Sequence, residues 1–246
     1  MPLYAMNRQD GQAANATSAF RFLNLPYELR LRVYELILII PKTLDLDPAN
    51  ARAVAPSLRL FLVSHRTHEE AYRVFYGRNT FRTFPIHGRF FHTNAPLLAR
   101  LSPRYRAVIT RLELRLGPGW TQPPRGWITD GRHGLRDATK VRLLRIFVEC
   151  DPASDPIFEG FRVGSGFYTE FSVNLLRGLL AQLPSISEVE FDAYPSVLKS
   201  SPLLEALVAE VKTNKKSYSV GTRPLLGQGR GVEPSECVGE IGPKCP

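Results

Sequence analysis

Apolar and polar positions along residues 27–40 alternate with a helical period. Leu29, Val33, Leu36, Ile37 and Ile40 recur at i, i+4, i+7, i+8 and i+11, one stripe of a helix. Leu31, Leu38 and Ile39 lie off that stripe, so the helix is apolar on more than one side. That pattern suits a helix buried on one face by its own domain and on another by a partner; a core helix wrapped by its own chain is the alternative. Pro26 fits the first turn, where its missing N–H has no intrahelical partner, and Glu28 meets the positive end of the helix dipole. Pro41 is expected to end the helix. Residues 41–56, with Asp45 and Asp47, read as a polar linker, followed by a short apolar helix over 58–63.

Ser64 is placed to cap a further helix ending at Phe75-Tyr76. Ala71, Val74 and Phe75 continue the stripe begun by Val63 and Thr67, while Glu69, Glu70 and Arg73 are expected to point outward. Gly77 or Asn79 closes this helix, and Thr80-Phe81 starts a strand.

Past residue 100 the period changes. Residues 109–116 and 186–191 alternate as half-buried strands, and 141–149 read as a more buried one. Helices are expected over 168–183, with Phe171, Leu175, Leu176, Leu179, Leu180 and Leu183 on the apolar face, and over 202–212. Residues 217–220 form a last short strand. The fold class is therefore α+β or α/β: a small helical module, then a small sheet with helices packed on one face. The expected organisation is a flexible segment over 1–19, a helical module over 20–84, an α/β domain over 85–220 and a disordered tail over 221–246.

Composition changes this picture little. Hydrophobic content is 43% and no apolar run reaches the ~18 residues that a bilayer requires. The first twenty residues lack the apolar core of a signal peptide, so an intracellular protein is expected, with no membrane partner. Three cysteines, Cys150, Cys237 and Cys245, are too few for a disulfide framework and show no metal-ligand spacing; Cys150 reads as a buried thiol.

Charge is uneven: residues 20–150 carry 22 Lys+Arg against 10 Asp+Glu, whereas 151–246 carry 9 against 12. A basic surface can attract nucleic acid through its field. These arginines, however, are spread along the chain rather than gathered in a tract, and no zinc-finger or RNA-recognition spacing accompanies them, which argues for a solvated basic face. His65, His68 and Glu69 would share a helix face, yet the order HxxHEE is not the HExxH of zinc proteases. No phosphate loop and no nucleophile elbow is present, so no catalytic residue and no cofactor is assigned and the chain reads as a non-enzyme.

Two blocks carry a resemblance. FRFLNLPYELRLRVYELILII over 20–40 resembles the opening of an F-box, and more narrowly the fungal F-box-like proteins that begin LPxELRxxIY. SLRLFLVSHRTHEEAYRVFYGRNTFRTF over 57–84 resembles the matching later block of that group, whose Phe-Tyr-x-x-Asn-Thr-Phe ending stands where other F-boxes carry Trp. Residues 183–191 resemble the helix-to-strand corner of a degenerate leucine-rich repeat. The resemblance implies a substrate receptor that docks on the Skp-type adaptor of a cullin–RING ubiquitin ligase. Leu25, Pro26, Leu29, Val33, Leu36 and Ile37 would touch the adaptor, and the C-terminal part would hold an unknown target protein. A scaffold with its F-box-like helices buried and no ligase role is the competing expectation.

Residues 117–134 add Trp120, Trp127, three prolines, five glycines and two arginines. Exposed aromatics beside arginines compose binding hot spots, so Trp120, Arg125 and Trp127 are candidate target contacts. Tryptophans that cap the edge of the core are the simpler alternative.

Overall fold

The computed structural model of the chain describes residues 20–45, 48–86, 96–117, 126–152, 164 and 166–221. Seven helices and one five-stranded sheet are found among them: α1 Tyr27–Leu38, α2 Pro48–Leu58, α3 His65–Arg78, β1 Thr80–Arg82, α4 Leu97–Arg100, α5 Pro103–Arg106, β2 Arg111–Leu116, β3 Leu143–Val148, α6 Phe167–Gln182, β4 Glu188–Ala193, α7 Pro202–Thr213 and β5 Ser217–Val220. The expectations for 1–19, 222–246, Trp120 and Arg125 lie outside the described residues.

Every neighbouring strand pair is parallel and the spatial order follows the chain, β1-β2-β3-β4-β5. Parallel neighbours cannot be joined by a hairpin and need a crossover. Crossovers of one hand, all stepping in one direction, stay on one face of the sheet. Segments containing α4 and α5, then short 3-10 turns, then α6, then α7, supply those crossovers.

The register explains why these strands read as half-buried from sequence. Phe81, Leu112, Leu144 and Val189 share one row, and Leu114, Ile146 and Phe191 another; all are buried. Side chains alternate faces along a strand. The opposite face therefore carries Arg82, Glu113, Arg145 and Glu190 in one row and Arg115, Phe147 and Asp192 in the next. Parallel sheets usually bury both faces under helices. Here the second face carries charged side chains instead, of which Arg82 and Glu113 are buried.

The boundary expected at residue 84 divides nothing in the core. β1 is a full member of the sheet, and one hydrophobic core runs from Tyr34 through Leu112 and Leu144 to Val211. Leu44 adds a bridge on the outer edge of β1, exchanging backbone bonds of 2.8 Å with Thr80 and Arg82.

Three local expectations need correction. The segment read as a polar linker contains α2, whose Ala-rich stretch has high helix propensity and which buries Val54 in the core. The helix expected over 58–63 is the end of α2 followed by a 3-10 turn, Arg59–Leu62. α1 ends at Leu38, before Pro41, because the buried Asn79 side chain takes over its polar groups. Asn79 Nδ2 donates to the Leu38 carbonyl at 2.8 Å and Oδ1 accepts from the Ile40 N–H at 2.8 Å. Nδ2 also reaches the Phe75 carbonyl at 2.9 Å, so a single residue closes two helices.

Candidate functional site

α1 has two faces of different kind. Arg30, Tyr34 and Leu38, one turn apart, are buried against the rest of the chain. Across the helix, Leu29 is 53% exposed and Leu36 85%, and Ile37, at the margin of the buried row, is 42% exposed. Pro26 is also exposed, whereas Leu25 and Val33 are half-buried. Of the six residues assigned to the adaptor, the structure thus brings Leu29, Leu36 and Ile37 out as exposed apolar surface. Leu62 and Val63, just before α3, add exposed apolar surface at the edge of the same helical module.

A buried polar network fixes the inner face. Ser64 caps α3 as its position predicts, accepting from the Thr67 N–H at 3.1 Å. α3 then presents Glu70 to α1. The Arg30 guanidinium grips that carboxylate with two bonds of 2.8 and 2.7 Å, Tyr34 donates at 3.1 Å and Arg66 at 3.2 Å. These donors, Arg30 foremost, hold the Glu70 carboxyl at about 2, well below the carboxylate range. Burial pushes the Tyr34 hydroxyl up, and the Glu70 carboxylate raises the Arg30 guanidinium further. Arg30 also donates Nη1 to the Leu25 carbonyl, which ties the Leu25-Pro26 lead-in to the helix it precedes. Glu70, expected to point outward, is in fact the internal anchor of the module. A sequence shows its charge but not its partner forty residues away.

Among the described residues the histidines form no ligand set. His68 donates Nδ1 to the Phe61 carbonyl at 3.1 Å, which leaves Nε2 to accept from the Tyr105 hydroxyl at 3.1 Å. His65 is bare beside Glu69 at 3.8 Å. Among the described residues no group of three His, Cys, Asp or Glu side chains could hold a metal ion. No helix among them is long and apolar enough to cross a membrane. Cys150 is half-buried and donates to the Gly117 carbonyl at 2.6 Å.

Trp127 is not an exposed anchor. It is 2% exposed and stacks on Phe84 with ring centroids 5.2 Å apart. An aromatic this deeply packed contributes to the core and has no face left for a target.

The charged sheet face holds the residues that sequence reasoning missed. Arg82 sits at its floor, bonded to Asp45 at 2.8 Å and to Glu113 at 3.0 Å, with Thr43 donating to Glu113 at 2.6 Å. Arg145 holds Glu190 at 2.8 Å. At the rim the Arg115 guanidinium lies 4.9 Å from the Phe147 ring centre and donates to the Tyr194 hydroxyl at 3.0 Å, while Tyr194 packs edge-on against Phe147. Thr43, Asp45, Arg82, Glu113, Arg115 and Arg145 line a polar cavity of about 360 Å³ over the sheet. The period-2 placement of Arg115 was visible in sequence; the register joining it to Phe147 and Asp192 was not.

Part of the excess of arginine is spent on internal ion pairs. Arg30, Arg82, Arg106, Arg115, Arg145 and Arg177 each pair with a carboxylate. Comparison with family models, with curated proteins and with solved structures returned no match, so the functional reading rests on this geometry.

Proposed function

We propose that this chain is a non-catalytic interaction protein, an F-box-like receptor that docks through α1 on a Skp-type adaptor and carries a target protein on its sheet domain. The exposed apolar surface of Leu29, Leu36 and Ile37, on a helix whose inner face is locked by Arg30 and Glu70, carries this reading. A helix this apolar on its solvent side loses free energy to water until something covers it, at roughly 25 cal/mol per Å² of apolar area. A standard interface covers about 1,600 Å² in total, with a few central residues dominating. The inner anchor keeps that surface rigid, so docking need not order it.

The scaffold reading with buried helices requires a covered α1, and the exposure of Leu36 disfavours it. A nucleic-acid role would use a continuous cationic face, whereas the arginines on the sheet face and on α6, Arg82, Arg145 and Arg177, are paired with carboxylates. Ubiquitin chemistry would take place elsewhere in the assembly; this chain would supply proximity and orientation.

Site-specific photocrosslinking tests the orientation. A benzoylphenylalanine placed at Leu36 should give a covalent adduct with a purified Skp-type adaptor, and one at Glu188 on the sheet should not. No adduct from position 36, or equal adducts from both, would overturn the proposal.

A further inference from the structure

The two edges of the sheet are not alike. Beyond β1, Leu44 exchanges backbone bonds with Thr80 and Arg82. β5 pairs with β4 alone among the described residues, and Ser217–Val220 are exposed throughout. The ladder decides which of its groups are left over. The N–H groups of Ser217 and Gly221 donate to the Ser187 and Phe191 carbonyls at 3.2 and 2.7 Å, so these positions and Ser219 between them turn toward β4. Tyr218 and Val220 therefore direct both N–H and C=O away from the sheet, with no partner among the described residues. Such a row of unpaired backbone groups is a template for another strand.

Lysine guards this edge. Lys212, Lys215 and Lys216 gather at its start, and none of them meets a carboxylate among the described residues. The Lys212 ammonium lies 5.5 Å from the Tyr218 ring centre, and Lys216 donates Nζ to the Pro184 carbonyl at 3.0 Å. Lysines beside an edge keep out neutral and basic strands. A strand that brings carboxylates neutralises them instead, so the same charges select for it. The register supplies the rest of the pattern. Tyr218 continues the buried row of Val189, and Val220 that of Phe191, yet they remain 40% and 51% exposed. A strand laid beyond β5 extends those two rows, with side chains two residues apart on one face.

We propose that β5 takes an extended acidic segment of a partner protein as a sixth strand. Backbone bonds to Tyr218 and Val220 hold it, an apolar side chain lies against Val220, and a carboxylate two residues away meets Lys212 beside Tyr218. In strand addition the main chain gives affinity and the alternate side chains give specificity. This inference rests on the proposal that the sheet domain carries a target, and names the edge and the chemistry by which it does so; adaptor docking takes no part in it.

Amide NMR on the full chain without adaptor, titrated with the peptide acetyl-GSVTETESG-amide, tests the proposal. Saturable shifts over 217–220 are expected, and the lysine counterpart acetyl-GSVTKTKSG-amide should bind at least about tenfold more weakly. Lys212→Glu/Lys215→Glu, at two exposed positions, should reverse that preference. Val220→Pro removes an N–H that bonds to nothing in the described chain, and proline is tolerated on a solvent-facing edge, so the fold should stay and binding should go. N-methylation of the peptide at Val and both Glu, or at both Thr, blocks its opposite edges. One set should abolish binding and the other leave it, whichever way the added strand runs. Absence of saturable shifts at β5, equal binding of the two peptides, or the same effect from both methylated sets would overturn the proposal. So would shifts at β5 that grow with the chain's own concentration before peptide is added, the mark of two copies pairing. With no adaptor present, each of these outcomes bears on the edge alone.

Discussion

Arg30 and Glu70, forty residues apart, meet through two parallel bonds of 2.8 and 2.7 Å, the fork of a guanidinium matched to both oxygens of a carboxylate. The pair is almost wholly shielded from solvent on the arginine side. Breaking a buried ion pair by removing one partner leaves the other charge stranded. Glu70→Gln should therefore destabilise the fold by about 3 kcal/mol, whereas Arg66→Gln, which removes an exposed donor to the same carboxylate, should cost under about 1 kcal/mol. Urea unfolding of the two variants measures both.

The same carboxylate makes stability depend on acid. Glu70 lies at about 2 in the folded chain against an ordinary value of 4.5. A group depressed by folding stabilises above its unfolded value and loses that contribution as pH falls through the folded one. Stability should thus be full above about pH 5 and decline between about 4.5 and 2. Glu210, lowered by Arg177, acts in the same direction. Urea midpoints measured across this window should fall with acid in the wild type and more gently in Glu70→Gln.

Trp127 tests the core reading. Its burial against Phe84 places it with large aromatic core residues, and Trp127→Ala should cost about 3–5 kcal/mol. A surface hot spot would give a change within about 0.5 kcal/mol, so one thermal or urea unfolding curve separates the two roles.

Asn79 makes a sharper case for its size. It satisfies the ends of α1 and α3 at once, so Asn79→Ala orphans the Leu38 carbonyl and the Ile40 N–H together. A loss of about 2–4 kcal/mol is expected, from roughly 1–3 kcal/mol for each buried group left unsatisfied. Amide exchange at the C-terminal turn of α1 should accelerate in the same variant.

What could be read from sequence follows from where the structure is local. β2, β3 and β4 were legible because one face of the sheet is apolar and the other charged, so Leu112, Leu114 and Leu116 alternate with Glu113 and Arg115. α6 and α7 were legible because their apolar faces repeat at helical spacing over a dozen residues or more. α2 was not, since Ala51, Ala53 and Ala55 give no hydrophobic period and Pro56 argues against a helix. The stripe of α1 was legible as apolar, but which side faced inward was decided by a charged residue, Arg30, that hydropathy places outside. Arg82 with Asp45 and Glu113 had no local signature at all, because its partners arrive through strand register.

The most direct measurement is the affinity of the purified chain for a Skp-type adaptor by titration calorimetry, beside a Leu36→Asp/Ile37→Asp variant. Both positions are solvent-facing, so the variant should keep the wild-type unfolding midpoint. Binding in the micromolar range or tighter, lost by the variant, is the predicted result. A folded wild type that does not bind, or a variant that binds equally well, would contradict the account.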